Sequence, residues 1–284
     1  MLSILIPTHD YTCYPLAATL HQQAETLGVP YEIIVAEDGS RSQVDIIANH
    51  KIEELTHCYH LIRKENVGRA TIRNVLMEAA KGDLLLFMDA DGKVVRDDFV
   101  KQYWEAGQTH HVVCGGILTP DACPDPTRTL RWKYEKAYEQ KHGYVSQQFR
   151  SFCFLISREA AQRVPFDERY HQYGFEDVQF GQDLKKAGYT ITVINNPLEN
   201  QDFETNTVFL RKTEEALRTA HRFRQDIGGH IALTRIYEKY QAWGWGVRTF
   251  HHIFGALIRR NLLSKHPSLF LFSLYKLGYY ATLS

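Results

Sequence analysis

Residues 84–92 read LLLFMDADG, an apolar run that ends in two aspartates one residue apart. An apolar run without alternation is typical of a strand that is covered on both faces of a sheet. In open α/β sheets, ligands bind beyond the carboxyl ends of such strands, which is where Asp89 and Asp91 fall. Two carboxylates there suit Mg²⁺ or Mn²⁺, which often bind through one or two carboxylates and substrate phosphates. The stretch therefore predicts a buried strand and a metal-held phosphate substrate.

The first 115 residues alternate short apolar runs with segments of helical period. The apolar runs cover residues 2–6, 31–36, 59–62 and 84–88. Between them, one helical segment closes at Gly28 and a second ends at Gly82, and a third begins at Asp97 or Asp98. This alternation is the pattern of βαβ units, so we predict an α/β fold with a Rossmann-like, mainly parallel sheet flanked by helices.

Beyond residue 112 the pattern is less regular. Strands are predicted at residues 112–118, with an interruption at Gly115 and Gly116, and at 152–156 and 190–194. Helices are predicted at 180–188 and 209–224. Gly228 and Gly229 mark the next break. We therefore expect a catalytic domain over residues 1–226 and a C-terminal helical extension over residues 227–284.

Composition narrows the class of protein. The chain has 284 residues, of which 44% are hydrophobic and 23% charged, and its 33 basic residues balance 33 acidic ones. No net charge attracts it to nucleic acid, so no nucleic-acid partner is expected. Five cysteines without C-x-x-C spacing fit reduced thiols in a cytoplasmic protein. The N-terminal apolar run is too short for a signal peptide, and no segment approaches the roughly 20 apolar residues of a membrane span.

Five stretches carry a family resemblance. They are SILIPTHDY at 3–11, IIVAEDGS at 33–40, ENVGRATIRN at 65–74, FMDADG at 87–92 and YGFEDVQFGQDLKKAGY at 173–189. In this order they resemble the family 2 glycosyltransferases with the GT-A fold, over roughly residues 1–200. The resemblance implies an inverting, metal-dependent enzyme. It would move a sugar from a nucleotide-diphosphate donor, UDP-linked by preference, to a hydroxyl of a glycan or lipid-linked acceptor in surface polysaccharide synthesis.

The resemblance also implies roles for individual residues. Asp91 would hold Mn²⁺ or Mg²⁺, and Asp89 would share the metal or touch the ribose. Asp177 would be the catalytic base. The acceptor side would comprise Glu176, Phe175, Gly174 and Trp132. The donor side would comprise Pro7, Thr8, His9, Asp38, Gly68, Arg69, Arg73, Asp89 and Ala90.

Each of these residues also has a structural interpretation. Asp38, Asp89 and Asp91 could serve turns or caps, since Asx side chains often do. Glu176 and Asp177 precede a helix, where acidic residues favour the macrodipole without catalysis. Arginines on helices are commonly solvated, which applies to Arg69 and Arg73. Three aromatic residues have two interpretations: they could stack on a sugar at the acceptor side, or they could belong to the core. They are Trp132, Tyr134 and Tyr138.

Two other protein classes compete with the transferase. FMDADG also resembles the D-x-D-G of haloacid-dehalogenase-like phosphatases, but there the motif normally lies on the first strand, whereas three predicted strands precede it here. A catalytically inactive sugar-nucleotide or glycan binding module would keep the fold alone. Retention of both the D-x-D and the Glu-Asp pair argues against inactivity.

Two segments depart from or lie outside the resemblance. Many relatives supply a further metal ligand, a histidine, after the last core strand, but residues 195–206 contain none, so Asn200, Asp202 or a water would have to substitute. The C-terminal segment has leucine-rich stretches around 257–263 and 269–274 beside Arg259, Arg260 and Lys265. Such a basic amphipathic helix can lie on the inner face of a membrane, self-associate, or pack on the catalytic domain.

Overall fold

The computed structural model describes residues 1–140 and 149–284. These residues form two compact units. The first consists of the described parts of Met1–Leu118, Gln140–His171 and Phe180–Asp202, and the second of Thr119–Glu139, Gln172–Gln179 and Phe203–Ser284. The expected division at residue 226 lies inside the second unit, and as a boundary between independently folding domains it stays a prediction.

The first unit contains the strands. In chain order they are β1 Leu2–Thr8, β2 Tyr31–Asp38, β3 Cys58–Arg63, β4 Leu84–Met88, β5 Gly92–Val94, β6 Val112–Cys114, β7 Ile117–Leu118, β8 Cys153–Ser157, β9 Ile191–Val193 and β10 Leu198–Asn200. Seven of them form one sheet in the order β3-β2-β1-β4-β8-β6-β9. Only β8 among these runs antiparallel to its neighbours. The predicted α/β fold with a mainly parallel sheet is confirmed.

Helices cover the sheet and build the second unit. In chain order they are α1 Tyr14–Leu27, α2 Gln43–His50, α3 Arg69–Ala79, α4 Phe99–Gly107, α5 Thr129–Tyr134, α6 Arg158–Arg163, α7 Glu176–Lys186, α8 Asn206–Arg222, α9 Arg224–Ile227, α10 Ala232–Lys239, α11 Gly244–Leu262 and α12 Leu269–Leu283. A π-helical turn, Glu135–Glu139, follows α5. The predicted helix stop at Gly28 is confirmed by its left-handed φ of 69°. The helix expected to end at Gly82 ends at Ala79 instead.

Strand β4 is buried along its whole length, as predicted. Leu84, Leu86 and Met88 belong to the apolar cluster on one face of the sheet, and Leu85 and Phe87 to the cluster on the other. Alternate side chains of a strand point to opposite faces, so a strand covered on both faces must be apolar throughout. Its polar continuation, Asp89 to Asp91, therefore begins where the covered sheet ends.

The strand predicted at residues 112–118 is interrupted at Gly115 and Gly116, as expected. The two parts belong to different sheets: β6 joins the large sheet, whereas β7 joins a three-stranded sheet in the order β5-β10-β7. Gly115 lies at the switch, and a Cβ there would come within 2.0 Å of the Tyr103 hydroxyl and 2.2 Å of the Asn196 carbonyl oxygen. Strands β5 and β10 have three residues each, too few to show a pattern in the sequence.

The second unit has its own apolar core. The predicted polar helix at 209–224 is α8, which Thr205 caps by accepting from the Val208 amide. Its apolar side packs with Leu130, Ile258, Leu262 and Phe272 in one cluster. Ile258 and Leu262 of the leucine-rich C-terminal segment are buried, as the packing alternative predicts for them, and membrane contact by other residues of the segment stays a prediction.

Candidate active site

The strand order creates a crevice at the carboxyl ends of β1 and β4. The chain leaves β1 toward β2 and β3 and then returns to β4 on the other side of β1, so β1 and β4 flank the switch point of the sheet. Ligands of open α/β sheets bind at such a point. Pro7 and Thr8 end β1, Asp38 ends β2, and Asp89 follows β4. The predicted donor residues of these three strands thus share one end of the sheet.

Asp89 is held by two arginines of α3. Arg73 is almost fully buried and donates from Nη2 to Asp89 Oδ1 at 2.7 Å. Its guanidinium also lies 5.7 Å from the centre of the Phe166 ring. Arg69 is half exposed, and its Nη1 lies 3.8 Å from Asp89 Oδ2. Buried arginine requires a charged or hydrogen-bonding partner, so the interpretation of Arg73 as a solvated helix charge is wrong.

Asp38 anchors the loop that enters α3. Its two carboxylate oxygens accept from the amides of Val67 at 2.8 Å and Gly68 at 3.1 Å. Gly68 has a φ of 87°, which favours glycine, and a Cβ there would lie 3.2 Å from the His171 carbonyl oxygen. Asp38 therefore has a structural role, although its partners lie 29 and 30 residues later in the chain and not in its own turn. Carboxylate oxygens keep further acceptor capacity, so a role toward the nucleotide base stays a prediction.

His9 lies against the same loop. Its Nδ1 lies 2.8 Å from the Asp38 carbonyl oxygen and 3.3 Å from Asn66 Nδ2. The Asn66 amide donates to the same carbonyl at 3.0 Å. Next to Asp38, Gly39 has a φ of 67°, and a Cβ there would come within 2.3 Å of the Asn66 amide nitrogen. The ends of β1 and β2 and the start of α3 are thus locked together.

Asp91 is joined to the short sheet. Its carbonyl oxygen accepts from the Gln201 amide at 2.9 Å, and Asn200 pairs with Gly92 in the β5–β10 register. A Cβ at Gly92 would lie 2.1 Å from Leu198 Cδ2. Burial, followed by the negative charges of Asp91 and Asp202, raises the pKa of Tyr11 to about 12. Asp91 and Asp202 therefore both act on the Tyr11 hydroxyl.

Glu176 and Asp177 lie in the second unit, directly after two residues with positive φ angles. Gly174 and Phe175 have φ angles of 104° and 68°, the latter an outlier for an aromatic residue. Glu176 is buried at the start of α7, and Asp177 Oδ1 accepts from the Val178 amide at 2.8 Å. Left-handed backbone costs of order 1–3 kcal/mol and persists only where its surroundings hold it.

Helix α8 provides that hold. Glu215 accepts from the Tyr173 amide at 3.1 Å, and the Thr219 hydroxyl donates to the Tyr173 carbonyl at 3.1 Å. A Cβ at Gly174 would lie 2.6 Å from the Ala216 Cβ. One face of α8 thus fixes the backbone immediately before Glu176 and Asp177.

The aromatic residues proposed for the acceptor side have different surroundings. Trp132 is half-buried, donates from Nε1 to the Pro120 carbonyl at 2.9 Å, and has the Lys136 ammonium 5.1 Å from its ring centre. Tyr134 packs against Phe209 and Phe272, as the core interpretation predicts. Tyr138 remains 40% exposed. For Trp132, a sugar-stacking role stays a prediction.

Comparison of the sequence with protein families assigns the chain to one of them. The family described as Glycosyl transferase family 2 matches residues 3–164, more than half of the chain. The chain belongs to glycosyl transferase family 2. It is thus a glycosyltransferase of the family that its motifs resemble.

Individual relatives agree with this assignment. An uncharacterized glycosyltransferase of Haemophilus influenzae is 29% identical over 183 residues, which cover 62% of this chain and 70% of the relative. The candidate teichuronic acid biosynthesis glycosyltransferase TuaG of Bacillus subtilis is 31% identical over 104 residues, covering 36% of this chain and 40% of TuaG. The mannosyltransferase PcManGT of Pyrobaculum calidifontis, solved with GDP-Man and Mn²⁺, aligns with a TM-score of 0.55 at 14% identity, covering 99% and 84% of the two chains. At that identity the structural likeness shows the fold alone.

One buried carboxylate near the site, Glu37, was not assigned a role from the sequence. Glu37, next to Asp38, is fully buried and accepts from Asn49 Nδ2 at 2.8 Å, with His60 Nε2 3.1 Å away. Although burial opposes it, hydrogen bonds from His60, Ser40 and Asn49 hold the pKa of Glu37 below its ordinary value. These hydrogen bonds hold the Glu37 side chain inside the protein at the end of β2. Period-2 alternation along β2 could have indicated that Glu37 and Asp38 point to opposite faces.

Arg150 was also missed by the sequence interpretation. The Asp89 amide donates to the Phe152 carbonyl at 2.9 Å, which brings the segment before β8 alongside the end of β4. Two residues earlier lies Arg150, whose buried Nε has no hydrogen-bond partner among residues 1–140 and 149–284. No sequence pattern marks this arginine, because its position depends on the antiparallel pairing of β4 and β8.

The residues present suit a divalent cation only in part. Within the part of the chain that is described, no three His, Cys, Asp or Glu side chains converge as a metal-binding group. Asp89 Oδ1 is engaged by Arg73, which favours Asp91 as the first protein ligand. Hard cations such as Mg²⁺ can bind through one or two carboxylates with substrate phosphates completing the shell, and this donor set fits that mode.

Proposed function

We propose that this glycosyltransferase is an inverting, metal-dependent enzyme that transfers a sugar from a nucleotide-diphosphate donor to a hydroxyl of a glycan or lipid-linked acceptor. The observation that carries the proposal is the pair Asp89 and Asp91 at the sheet switch point, with Asp89 held between Arg73 and Arg69. This arrangement offers both cations and hard oxygen ligands where a diphosphate would bind. Surface polysaccharide synthesis is the proposed context, supported by the similarity to TuaG.

The leaving group is a nucleoside diphosphate, whose negative charge grows as the sugar departs. A bound Mn²⁺ or Mg²⁺, held by Asp91 with Asp89 beside it, would neutralise that charge as a Lewis acid. Arg69 and Arg73 orient Asp89 and add positive charge. We include Arg150 among the diphosphate contacts, because a buried arginine nitrogen without a partner is costly unless a ligand pairs with it.

The donor's nucleotide would bind along Pro7, Thr8 and His9, with Asp38, Gly68 and Ala90 shaping the crevice. A UDP-sugar is the preferred donor. TarS of S. aureus has been solved with UDP-GlcNAc and aligns with a TM-score of 0.51 at 15% identity, whereas PcManGT holds GDP-Man. Both solved structures support a nucleotide sugar as the donor class.

The proton of the acceptor hydroxyl must be removed as the bond to the sugar forms. We assign this role to Asp177, with Glu176, Phe175, Gly174 and Trp132 on the acceptor side. The left-handed backbone of Phe175 supports the assignment, because a non-glycine residue in this conformation is strained and such strain tends to be retained where a side chain must be positioned for function. A single displacement without a covalent sugar intermediate inverts the anomeric centre.

A cytoplasmic location with peripheral contact to the inner face of the membrane belongs to the same proposal. A lipid-linked acceptor would present its sugar at that face. No helix in residues 1–140 and 149–284 combines the length and apolar character needed to cross a bilayer.

The proposal is tested by donor binding and by product release. Calorimetry with UDP, GDP and their sugars, with and without Mn²⁺, identifies the donor, and Asp91→Ala should abolish the metal-dependent part of the affinity. Asp97→Ala, an exposed aspartate six residues later, is the control. Undiminished metal-dependent affinity in Asp91→Ala would contradict the metal assignment.

Release of nucleoside diphosphate on addition of acceptor separates the alternatives. A phosphatase would release inorganic phosphate, and an inactive binding module would release nothing. Asp177→Asn should leave donor affinity unchanged while transfer falls by at least the roughly 10²-fold typical of general-base loss. Full transfer activity in Asp177→Asn would move the base role to another group.

A further inference from the structure

The C-terminal helices of the second unit expose large apolar side chains. Trp243 and Trp245 are 68% and 72% exposed, and Ile253 and Leu257 are 62% and 64% exposed. Together with Phe250 and Phe254 we call these six residues the aromatic face. Along α11, residues 250, 253, 254 and 257 follow the spacing of one helix side, whereas Ile258 and Leu262 on the other side are buried. The helix is therefore anchored in its unit by one side and presents the opposite side outward.

A shallow apolar groove of about 440 Å³ includes one end of this face. It is lined by Ile236, Tyr237, Tyr240, Trp243, Val247 and Leu277. Soluble monomers rarely expose contiguous apolar patches beyond a few hundred Å², and larger patches mark interaction sites. The groove and the aromatic face together point to a partner with a large apolar contact area.

The charge of this region is one-sided. Glu238 is the last acidic residue of the chain, and the 46 residues after it carry six of the 33 basic residues. Lys239, Arg248, Arg260 and Lys265 are exposed. Since the whole chain has no net charge, the positive charge here is balanced by an excess of acidic residues elsewhere. The partner should therefore be negatively charged as well as apolar.

We propose that the aromatic face docks on the surface of an anionic lipid bilayer. Tryptophan is enriched at membrane interfaces, where its amphipathic ring lies at the headgroup level, and basic residues nearby are attracted to anionic headgroups. A second copy fits less well, because a symmetric contact would bring together two surfaces on which exposed basic residues outnumber Glu238. The inference deepens the proposed peripheral location, and its test uses neither donor nor acceptor, so its outcome is independent of whether transfer is observed.

Vesicle flotation of the full chain tests this proposal. Vesicles of phosphatidylcholine alone should not bind it, whereas vesicles with about 30 mol% phosphatidylglycerol should, with the binding reduced by high salt. Ile253→Ser/Leu257→Ser should weaken binding by at least about tenfold, because it removes apolar contact from an exposed surface. The control is Ile47→Ser, a 64% exposed isoleucine on α2 in the first unit, which should bind as the wild type.

Tryptophan fluorescence gives a second readout. The chain has four tryptophans, of which Trp243 and Trp245 are exposed and Trp104 and Trp132 are half-buried. Anionic vesicles should shift the emission to shorter wavelength, and Trp243→Phe/Trp245→Phe should abolish the shift while largely keeping the flotation. Circular dichroism confirms that each variant is folded.

Two outcomes would overturn the inference. One is that the full chain binds neither vesicle. The other is that Ile253→Ser/Leu257→Ser floats like the wild type. If vesicles are not bound and sedimentation shows a dimer that the same double variant dissociates, the face is an interface between two copies instead.

Discussion

The carboxyl edge of the sheet and the C-terminal helices differ in how their energetically unfavourable side chains are placed. The sheet edge pairs its buried carboxylates internally, whereas the C-terminal helices leave large apolar side chains exposed. At the sheet edge, Asp38, Glu37 and Asp89 each have internal partners that hold their charge in place. On α11, the side chains of Trp245 and Ile253 are 72% and 62% exposed to solvent. Carboxylates that are fixed by internal partners form a preorganised site for a small ligand, whereas exposed apolar side chains can contact a large surface. The comparison therefore assigns catalysis to the sheet edge and docking to the C-terminal helices.

The most direct test of this comparison removes Arg73, the buried partner of Asp89. Arg73→Ala should lower the free energy of unfolding by about 3 kcal/mol, because it leaves a largely buried carboxylate without its cation. Equilibrium urea unfolding measures the change. Arg69→Ala is the matched control, since Arg69 faces the same carboxylate from 3.8 Å and is half exposed, and it should cost less than about 1 kcal/mol. Equal costs for the two arginines would contradict the internal role of Arg73.

The C-terminal helices offer a matched pair on a single element. Ile258→Ala should cost about 2–4 kcal/mol, because it opens a cavity in the core of the second unit. Ile253→Ala, five residues earlier and 62% exposed, should change stability by no more than about 0.5 kcal/mol. Thermal unfolding of both variants checks the difference. A large cost at Ile253 would mean that the aromatic face is covered within the chain itself.

Alanine substitutions at two glycines with nearly the same φ distinguish the stability cost of backbone strain from the cost of a steric clash. Gly39 and Gly28 have φ angles of 67° and 69°, but only Gly39 has neighbouring atoms in the space of a Cβ. Gly28→Ala should cost about 1 kcal/mol from strain alone. Gly39→Ala should cost about 2–3 kcal/mol and weaken donor binding, because the Asn66 backbone must move. Donor affinity unchanged in Gly39→Ala would show that this loop does not shape the site.

The smallest expected effect is a dependence on pH. The pKa of Glu37 is lower in the folded chain than its ordinary value, so its contribution to stability is present at neutral pH and is lost as the pH falls through the folded pKa. Glu37→Gln should therefore be less stable than the wild type at neutral pH by about 1 kcal/mol, and this gap should narrow on acidification. Urea unfolding across the acidic range measures the gap. A gap that is constant with pH would exclude ionised Glu37 as its source.

The sequence predicts the parts of this molecule that depend on local pattern. The four apolar strands and the helix stop at Gly28 follow from period and turn chemistry, and the motifs led to the correct family. Contacts between distant segments were not accessible. The segment that carries Arg150 runs beside the end of β4 because β8 pairs with β4 in antiparallel orientation, and the burial of Ile258 depends on which side of α11 meets α8 and α12. A helical period indicates an apolar side but does not indicate whether other residues cover it.

The glycine that completes the DADG stretch is required by packing. Gly92 has no room for a Cβ because Leu198, more than 100 residues later in the chain, fills that space. An alanine or serine after the second aspartate would therefore require Leu198 to shift or to be replaced by a smaller residue. The last glycine of the stretch thus serves the packing of a distant strand, whereas the aspartates before it are the candidate ligands.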